Sequence, residues 1–277
     1  MTSKPAPGYK RDPDYRVDIE ACPRRVRVQF GDTMIADSTN VLLILESKHV
    51  PVYYFPRSDV DQSTLEPSEL TTFCPFKGEA SYWSVAGDGN LVENAVWSYL
   101  DPFEEALPLK AYMAFYWNKA DHWYEEDEKI YVHPRDPHKR VDAVPSRRPV
   151  EIVLGGEKVA RSEDAVFVFE TGMPTRYYLP ASDVRMDLLT KSPSSTRCPY
   201  KGVAEYWSAE INGTRFDDIV WSYPDPIAEC PRIKDLLCFY NENVDEILVD
   251  GAPVDRAETK WSNRYFKETV DGPEHIV

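Results

Sequence analysis

A lysine recurs in the motif Cys-Pro-aromatic-Lys-Gly, which stands at Cys74–Gly78 and again at Cys198–Gly202. The glycine after Lys77 and after Lys201 indicates a tight turn or a close approach of two backbones. Partial burial beside the Tyr and Trp residues of the same repeat would lower the pKa of each ammonium. A lysine of that kind can act as a base, a Schiff-base nucleophile or a ligand for an anion. The alternative is a structural lysine whose ammonium lies over an aromatic ring.

A glutamate recurs with the same spacing to the lysine. Glu46 and Glu170 each end an apolar run and stand a few residues before a Tyr-Tyr-x-Pro motif. A carboxylate at a strand end near the lysine could form a buried ion pair or a general acid/base couple. The alternative is a surface ion pair or a residue that caps a turn. The candidate catalytic residues are therefore Lys77, Glu46, Lys201 and Glu170.

The aromatic residues also recur in matched positions. Neighbouring residues on a strand point to opposite faces, so one member of each adjacent pair is expected in the core. The other member can line a pocket for a planar ligand, although core packing also explains it. The candidate ligand-binding aromatic residues are Tyr54, Tyr82, Trp83 and Trp97, together with Tyr178, Tyr206, Trp207 and Trp221.

Two further polar candidates occur in the first half of the chain only. His49 and Arg57 correspond to Met173 and Ala181 in the second half. The first half therefore offers the richer polar site. The alternative is that both residues are exposed loop positions that have diverged.

These positions match because the chain is a tandem repeat. Shifted by 124 positions, 34 of the 95 residues from Arg24 to Asn118 are identical to their partners. A period of this length indicates two domain-sized units and not a solenoid. The sequence predicts two repeats, residues 24–133 and 148–257, joined by a polar linker at 134–147. Residues 1–23 and 258–277 are expected to be extensions that occur once.

The pattern within each repeat is typical of a mainly β domain. Short apolar runs bounded by Pro and polar residues predict buried strands, and Tyr, Trp and Val suit antiparallel sheets. A hairpin is predicted at Gly31-Asp32 and at Gly155-Gly156. About one short helix per repeat is expected, over Pro108–Trp117 and over Pro231–Asn241, because Pro is tolerated in the first turn of a helix.

The amino-acid composition of the chain limits the classes of function that it can have. The chain has 32 basic and 47 acidic residues, a net charge of −15, which disfavours nucleic acids and anionic membranes as partners. No apolar stretch approaches the roughly 18 residues of a membrane span, and no signal peptide is expected. Five cysteines without Cys-x-x-Cys spacing indicate reduced thiols and a cytoplasmic location. No histidine recurs between the repeats and no phosphate-loop motif occurs, so neither a metal nor a cofactor is predicted.

The chain resembles one known family through three motifs: YYFP-x-SDV, T-x-CPFKG-x-A-x-YWS and VWSY-x-DP, with the second copy matching as clearly. This family is catalogued as domain of unknown function 427. The resemblance covers both repeats and implies a β-tent-like fold, which is also the fold of methionine sulfoxide reductase B. The paired Cys-x-x-Cys zinc ligands of those relatives are missing here, so their metal is not implied. A nucleotidyltransferase-like label attached to the family implies a third possible activity.

The fold expected is two tandem β-tent-like antiparallel domains. Three hypotheses about the function of such a protein follow. The first is a protein that binds or transforms a small aromatic or anionic metabolite in a pocket near the Cys-Pro-aromatic-Lys-Gly turn. In it Lys77 or Lys201 is the base or anion clamp, with Glu46 or Glu170 as partner. The second is a non-catalytic binding or scaffold protein with filled aromatic cores, and the third is nucleotidyl transfer. The protein is expected to be a monomer with an internal pseudo-twofold pair, or a homo-oligomer.

Overall fold

The computed structural model describes residues 4–87, 90–259 and 262. These residues form two compact units, unit 1 running to Asp136 and unit 2 beginning at Pro137. Each unit contains one seven-stranded and one four-stranded sheet, and neighbouring strands pair antiparallel. The predicted mainly β fold in two similar halves is therefore confirmed. Among the described residues, no helix is long and apolar enough to cross a membrane.

Unit 1 contains eleven strands within its described residues. They are β1 (Val17–Ala21), β2 (Val26–Phe30), β3 (Thr33–Ser38), β4 (Leu42–Glu46), β5 (Val52–Pro56), β6 (Leu65–Cys74), β7 (Gly78–Gly87), β8 (Asn90–Ser98), β9 (Tyr112–Phe115), β10 (His122–Glu125) and β11 (Glu128–Ile130). The seven-stranded sheet has the order β1-β4-β5-β9-β8-β7-β6, and the four-stranded sheet has the order β11-β10-β2-β3.

Unit 2 repeats this arrangement strand for strand. Its strands are β12 (Val141–Ser146), β13 (Val150–Leu154), β14 (Glu157–Ser162), β15 (Ala165–Glu170), β16 (Arg176–Leu179), β17 (Leu189–Cys198), β18 (Gly202–Ile211), β19 (Thr214–Ser222), β20 (Leu237–Phe239), β21 (Glu246–Val249) and β22 (Ala252–Pro253). The sheet orders are β12-β15-β16-β20-β19-β18-β17 and β14-β13-β21-β22.

Each repeat begins earlier than the sequence predicted. Strand β1 lies in the predicted N-terminal extension and pairs with β4, while β12 lies in the predicted linker and pairs with β15. These two edge strands lie 124 positions apart, like the rest of the repeat. Arg16-Val17-Asp18 is identical to Arg140-Val141-Asp142, so residue identity itself extends the repeat to these strands, and the boundary predicted at Arg24 was set too late.

The helices predicted over Pro108–Trp117 and Pro231–Asn241 are wrong in extent. Unit 1 has a 3₁₀ helix at Glu104–Ala111, and the chain then enters β9. Unit 2 has a 3₁₀ helix at Pro231–Ile233, followed by β20. Strands β9 and β20 each pair with a strand on both sides, so sheet pairing in the centre of the larger sheet outweighs helix propensity there.

The seven-stranded sheet of unit 1 buries aromatic residues on both faces. Phe55 and Phe115 face the four-stranded sheet, where they pack with Trp123 in one hydrophobic core. Tyr54 and Trp97 lie in a second cluster on the opposite face. The alternation of side chains along a strand therefore gives this sheet two different aromatic surfaces.

Candidate functional site

The recurring glycine of the Cys-Pro-aromatic-Lys-Gly motif shapes the turn that carries the lysine. Gly78 has a φ of 114° and Gly202 a φ of 112°, a conformation that L side chains rarely adopt. The Lys77 carbonyl accepts a hydrogen bond from the Phe103 amide at 3.1 Å, and Lys201 accepts one from Ile227 at 3.0 Å. The predicted tight turn is thus present in both units. The loop after the Val-Trp-Ser-Tyr motif holds it in place.

Lys77 and Glu46 are brought into direct contact. Lys77 is 5% exposed, and its ammonium donates a hydrogen bond to Glu46 Oε2. The Tyr15 hydroxyl donates to the other oxygen, Oε1, at 2.8 Å. Burial and this hydrogen bond raise the pKa of Tyr15, so the phenol stays protonated. The Lys77 ammonium also lies 5.9 Å from the centroid of the Tyr99 ring. Lys77 is therefore both ion-paired and in contact with an aromatic face.

This polar group forms one end of a cleft on the face of the seven-stranded sheet that carries Tyr54 and Trp97. We call it the unit 1 cleft; its walls are Ile44, Glu46, His49, Val50, Val52, Tyr54, Lys77, Tyr82, Trp97, Tyr99 and Tyr116. The enclosed volume of the cleft is about 20 Å³. The volume rises to about 420 Å³ when the solvent-filled space at the open mouth is included. The enclosed volume holds one or two water molecules. An aromatic ring needs several times this volume, so a ligand can insert only a group of a few atoms, and any ring must lie across the open mouth.

Six of the residues predicted for the site in the first repeat meet in this cleft, and two do not. Lys77, Glu46, His49, Tyr54, Tyr82 and Trp97 line it. Arg57 instead lies with its guanidinium carbon 5.0 Å from the centroid of the Trp83 ring, away from the cleft. Trp83 packs against the core between the two sheets, because it follows Tyr82 on β7 and so points to the opposite face.

A buried hydrogen bond fixes two of the aromatic walls. The Trp97 indole donates to the Tyr54 hydroxyl at 2.9 Å, and Trp221 donates to Tyr178 at 3.0 Å. In both units the tryptophan ring also packs on a tyrosine, Tyr116 in unit 1 at a centroid distance of 4.7 Å.

We expect Tyr54→Phe to lower the free energy of unfolding by about 1–3 kcal/mol, because a buried indole N–H loses its acceptor. Tyr178→Phe is expected to have the same effect in unit 2. Urea unfolding of the full chain measures both. Tyr124→Phe is the control, since that half-buried hydroxyl makes only a 3.2 Å contact with Gln29. The assignment of a buried hydrogen bond between Trp97 and Tyr54 would be contradicted if Tyr54→Phe lowered the free energy of unfolding no more than Tyr124→Phe does.

Unit 2 contains the same ion pair with a different third member. The Lys201 ammonium donates to Glu170 Oε2, and Lys139 lies 2.9 Å from Oε1. Lys139 stands 124 positions after Tyr15, so an ammonium replaces the phenol. Burial raises the pKa of Glu170. The attraction of Lys201 and hydrogen bonds from both lysines outweigh this effect and hold the pKa below its usual value.

A second buried pair in unit 2 was missed by sequence reasoning. Arg176 makes two hydrogen bonds to Glu242, at 2.6 and 2.7 Å, and the side chains are 7% and 0% exposed. The Arg176 guanidinium carbon lies 5.5 Å from the centroid of the Trp221 ring. Unit 1 has Val52 and Asn118 at the matching positions. The sequence signal that could have revealed this pair is the appearance of two oppositely charged residues in one repeat, at positions where the other repeat has neutral residues.

The other candidates of unit 2 follow the pattern of unit 1. Tyr178, Tyr206 and Trp221 are buried on one face of the larger sheet. Trp207 is partly buried, and the Lys191 ammonium lies 5.8 Å from its ring centroid. Trp207 therefore matches Trp83 in lying apart from the other three.

We expect the free energy of unfolding of unit 2 to fall as the pH drops below about 4. The pKa of Glu170 and that of Glu242 are lowered in the folded state, whereas an unfolded glutamate titrates near 4.3. The unfolded chain therefore binds more protons in this window, and stability is lost as the pH falls. Urea unfolding from pH 6 to 3, with hydrogen exchange of residues 150–250, measures it. An unfolding free energy that stays constant over this window would contradict the prediction.

The comparison with known families agrees with the repeated fold. A family model described as a domain of unknown function matches residues 18–126 and, independently, residues 142–250. The chain belongs to the DUF427 family. Each DUF427 match begins near the first strand of its unit, β1 or β12, so the protein is a tandem-duplicated DUF427 protein. No curated protein matches the chain.

The described part of both DUF427 units can also be assessed for metal ligands. Within residues 4–87, 90–259 and 262, no group of three or more His, Cys, Asp and Glu side chains is arranged to hold an ion. The chemistry that the DUF427 site offers from its own residues is that of a buried lysine–carboxylate pair beside aromatic walls.

Proposed function

We propose that unit 1 binds a small metabolite whose flat, aromatic part lies across the open mouth of the unit 1 cleft. The observation that carries this proposal is the composition of the walls. Five aromatic side chains line the cleft, and an ion-paired polar group lies at one end. Aromatic walls with a few convergent polar groups are typical of small-molecule sites.

An anionic ligand has less support than an aromatic one. The Lys77 ammonium is already paired with Glu46, so the pair contributes no net charge to the cleft. Arg57, the other cation that the sequence offered, lies over Trp83 outside the cleft. An anion would therefore have to displace Glu46 from Lys77, which is unfavourable for a buried carboxylate.

Lys77 and Glu46 remain the candidate catalytic residues within this proposal. They would hold the polar part of the ligand or transfer a proton to it, with the Tyr15 hydroxyl as the second donor to Glu46. A scaffold protein predicts a filled aromatic core, and the open cleft in unit 1 favours ligand binding over that alternative. Nucleotidyl transfer and the oligomeric state stay predictions.

We also propose a reducing compartment such as the cytoplasm as the location of the protein. All five cysteines are free, and four of them are buried. Burial raises the pKa of Cys22, Cys230 and Cys238, which keeps these thiols protonated and unreactive. These thiols therefore serve packing in the proposed function and carry no chemistry in it.

Saturation-transfer NMR of the full chain with indole, phenol, benzamide and benzoate tests the proposal. We expect at least one neutral ring to bind. Val52→Arg with Asn118→Glu places the Arg–Glu pair of unit 2 in unit 1 and should abolish that binding. Arg57→Ala, which introduces the residue that unit 2 has there, is the matched control and should leave it unchanged. Binding that is absent, or equal in all three proteins, would overturn the proposal.

A further inference from the structure

Unit 2 has a surface that corresponds to the unit 1 cleft. The aromatic walls Tyr54, Tyr82, Trp97, Tyr99 and Tyr116 recur 124 positions later as Tyr178, Tyr206, Trp221, Tyr223 and Tyr240. The packing recurs as well: Trp221 lies on Tyr240 at 4.4 Å and perpendicular to Tyr178. The two aromatic surfaces therefore correspond member by member.

The occupant of this surface in unit 2 is a guanidinium group. Arg176 extends from the position that Val52 holds in unit 1, and its guanidinium lies over the Trp221 ring. Glu242 holds it there with two hydrogen bonds. In unit 1 the shorter Val52 side chain leaves the corresponding side of Trp97 as a wall of the open cleft.

The charge of unit 1 also suits a cation. Aromatic faces are negative, and a planar cation gains most from them where water is excluded. Glu170 contacts two ammonium groups, whereas Glu46 contacts one ammonium and the neutral Tyr15 hydroxyl. The polar end of unit 1 is therefore less positive by one charge. The chain as a whole carries −15, which attracts cations.

We propose that the unit 1 cleft takes a planar cation, an amidinium or guanidinium group, stacked on Trp97 as Arg176 stacks on Trp221. This inference rests on the proposed function and names the charge class of its ligand. Arg176 and Glu242 then act as a built-in occupant that closes the matching surface of unit 2. Of these two matching surfaces, the one in unit 1 is then the one that is open to a ligand.

Three probes of equal shape and different charge test the inference. Benzamidine is cationic at neutral pH, benzamide is neutral and benzoate is anionic. We expect benzamidine to bind the full chain at least tenfold more tightly than benzamide, and benzoate to bind most weakly. Binding of benzamide or benzoate at least as tight as that of benzamidine overturns the inference and leaves the proposed function standing.

Variants separate this outcome from a failure of the proposed function. Val52→Arg with Asn118→Glu should reduce benzamidine affinity at least tenfold. Val52→Met, an uncharged filler, gives a second test if the charged pair prevents folding, and it should also weaken binding. If none of the probes distinguishes the wild-type protein from these variants, the proposed function fails together with the inference.

Discussion

Glu46→Gln lowers the free energy of unfolding of unit 1 by about 3–5 kcal/mol. Removal of one partner of a buried ion pair leaves the other charge uncompensated in a low-dielectric environment. The Lys77 and Glu46 side chains are 6% and 11% exposed, so water cannot replace the lost carboxylate. Tyr15 loses a charged acceptor at the same time. Urea unfolding of the full chain, with hydrogen exchange of residues 26–126, measures the effect.

The double variant Glu46→Gln with Lys77→Met is the control for this prediction. It removes both charges, so we expect it to be more stable than Glu46→Gln alone, although it loses two partners. The coupling between the two substitutions is then the direct measure of the pair. A single variant within 1 kcal/mol of wild type, with no coupling, would show that Lys77 and Glu46 are not a buried pair.

Glu242→Gln destabilises unit 2 by a similar amount, about 3–5 kcal/mol. The Arg176 guanidinium is buried and makes two parallel hydrogen bonds to this carboxylate, the strongest geometry for such a pair. Glu242 also accepts a hydrogen bond from the Thr259 hydroxyl at 2.5 Å. Glutamine removes the charge of the Glu242 side chain but keeps its shape. The fall in the free energy of unfolding therefore measures the electrostatic contribution of the carboxylate.

The matched control replaces both residues by those of unit 1. Arg176→Val with Glu242→Asn removes the buried charges together, and we expect it to cost less than Glu242→Gln alone. It should also reduce the loss of stability of unit 2 below pH 4, because one of the two acid-sensitive carboxylates is gone. A double variant less stable than the single one would show that the pair does not act as a unit.

The repeated motifs were sufficient to single out Lys77 and Glu46 as possible partners, while a surface ion pair or a turn cap stayed open as alternatives. Both residues recur with the same spacing, and a charged residue retained beside apolar runs must find a partner when it is buried. The edge strands β1 and β12 could have been found in the same way, because Arg16-Val17-Asp18 recurs as Arg140-Val141-Asp142. No identity occurs between residues 19–23 and residues 143–147, and this gap separated both strands from the repeat as counted from Arg24.

The sequence predicts which aromatic residues lie on opposite faces of a sheet, but not which of the two faces each one occupies. Alternation places Tyr82 and Trp83 on opposite faces of β7, but it does not say which face the second sheet covers. Trp83 and Arg57 were therefore assigned to the site, although they lie together on the other side. The Arg176–Glu242 pair depends on residues 66 positions apart, and only the folded sheet shows that they touch.

The indole N–H signals of the full chain test the central claim most directly, that unit 1 has an open ligand site and unit 2 a filled one. The chain has seven tryptophans, and Trp97→Phe and Trp221→Phe assign the two signals that matter. On titration of the ¹⁵N-labelled protein with benzamidine, we predict that the Trp97 signal shifts and saturates while the Trp221 signal stays in place. A Trp221 signal that shifts as much as that of Trp97, or a Trp97 signal that does not move, would contradict the account.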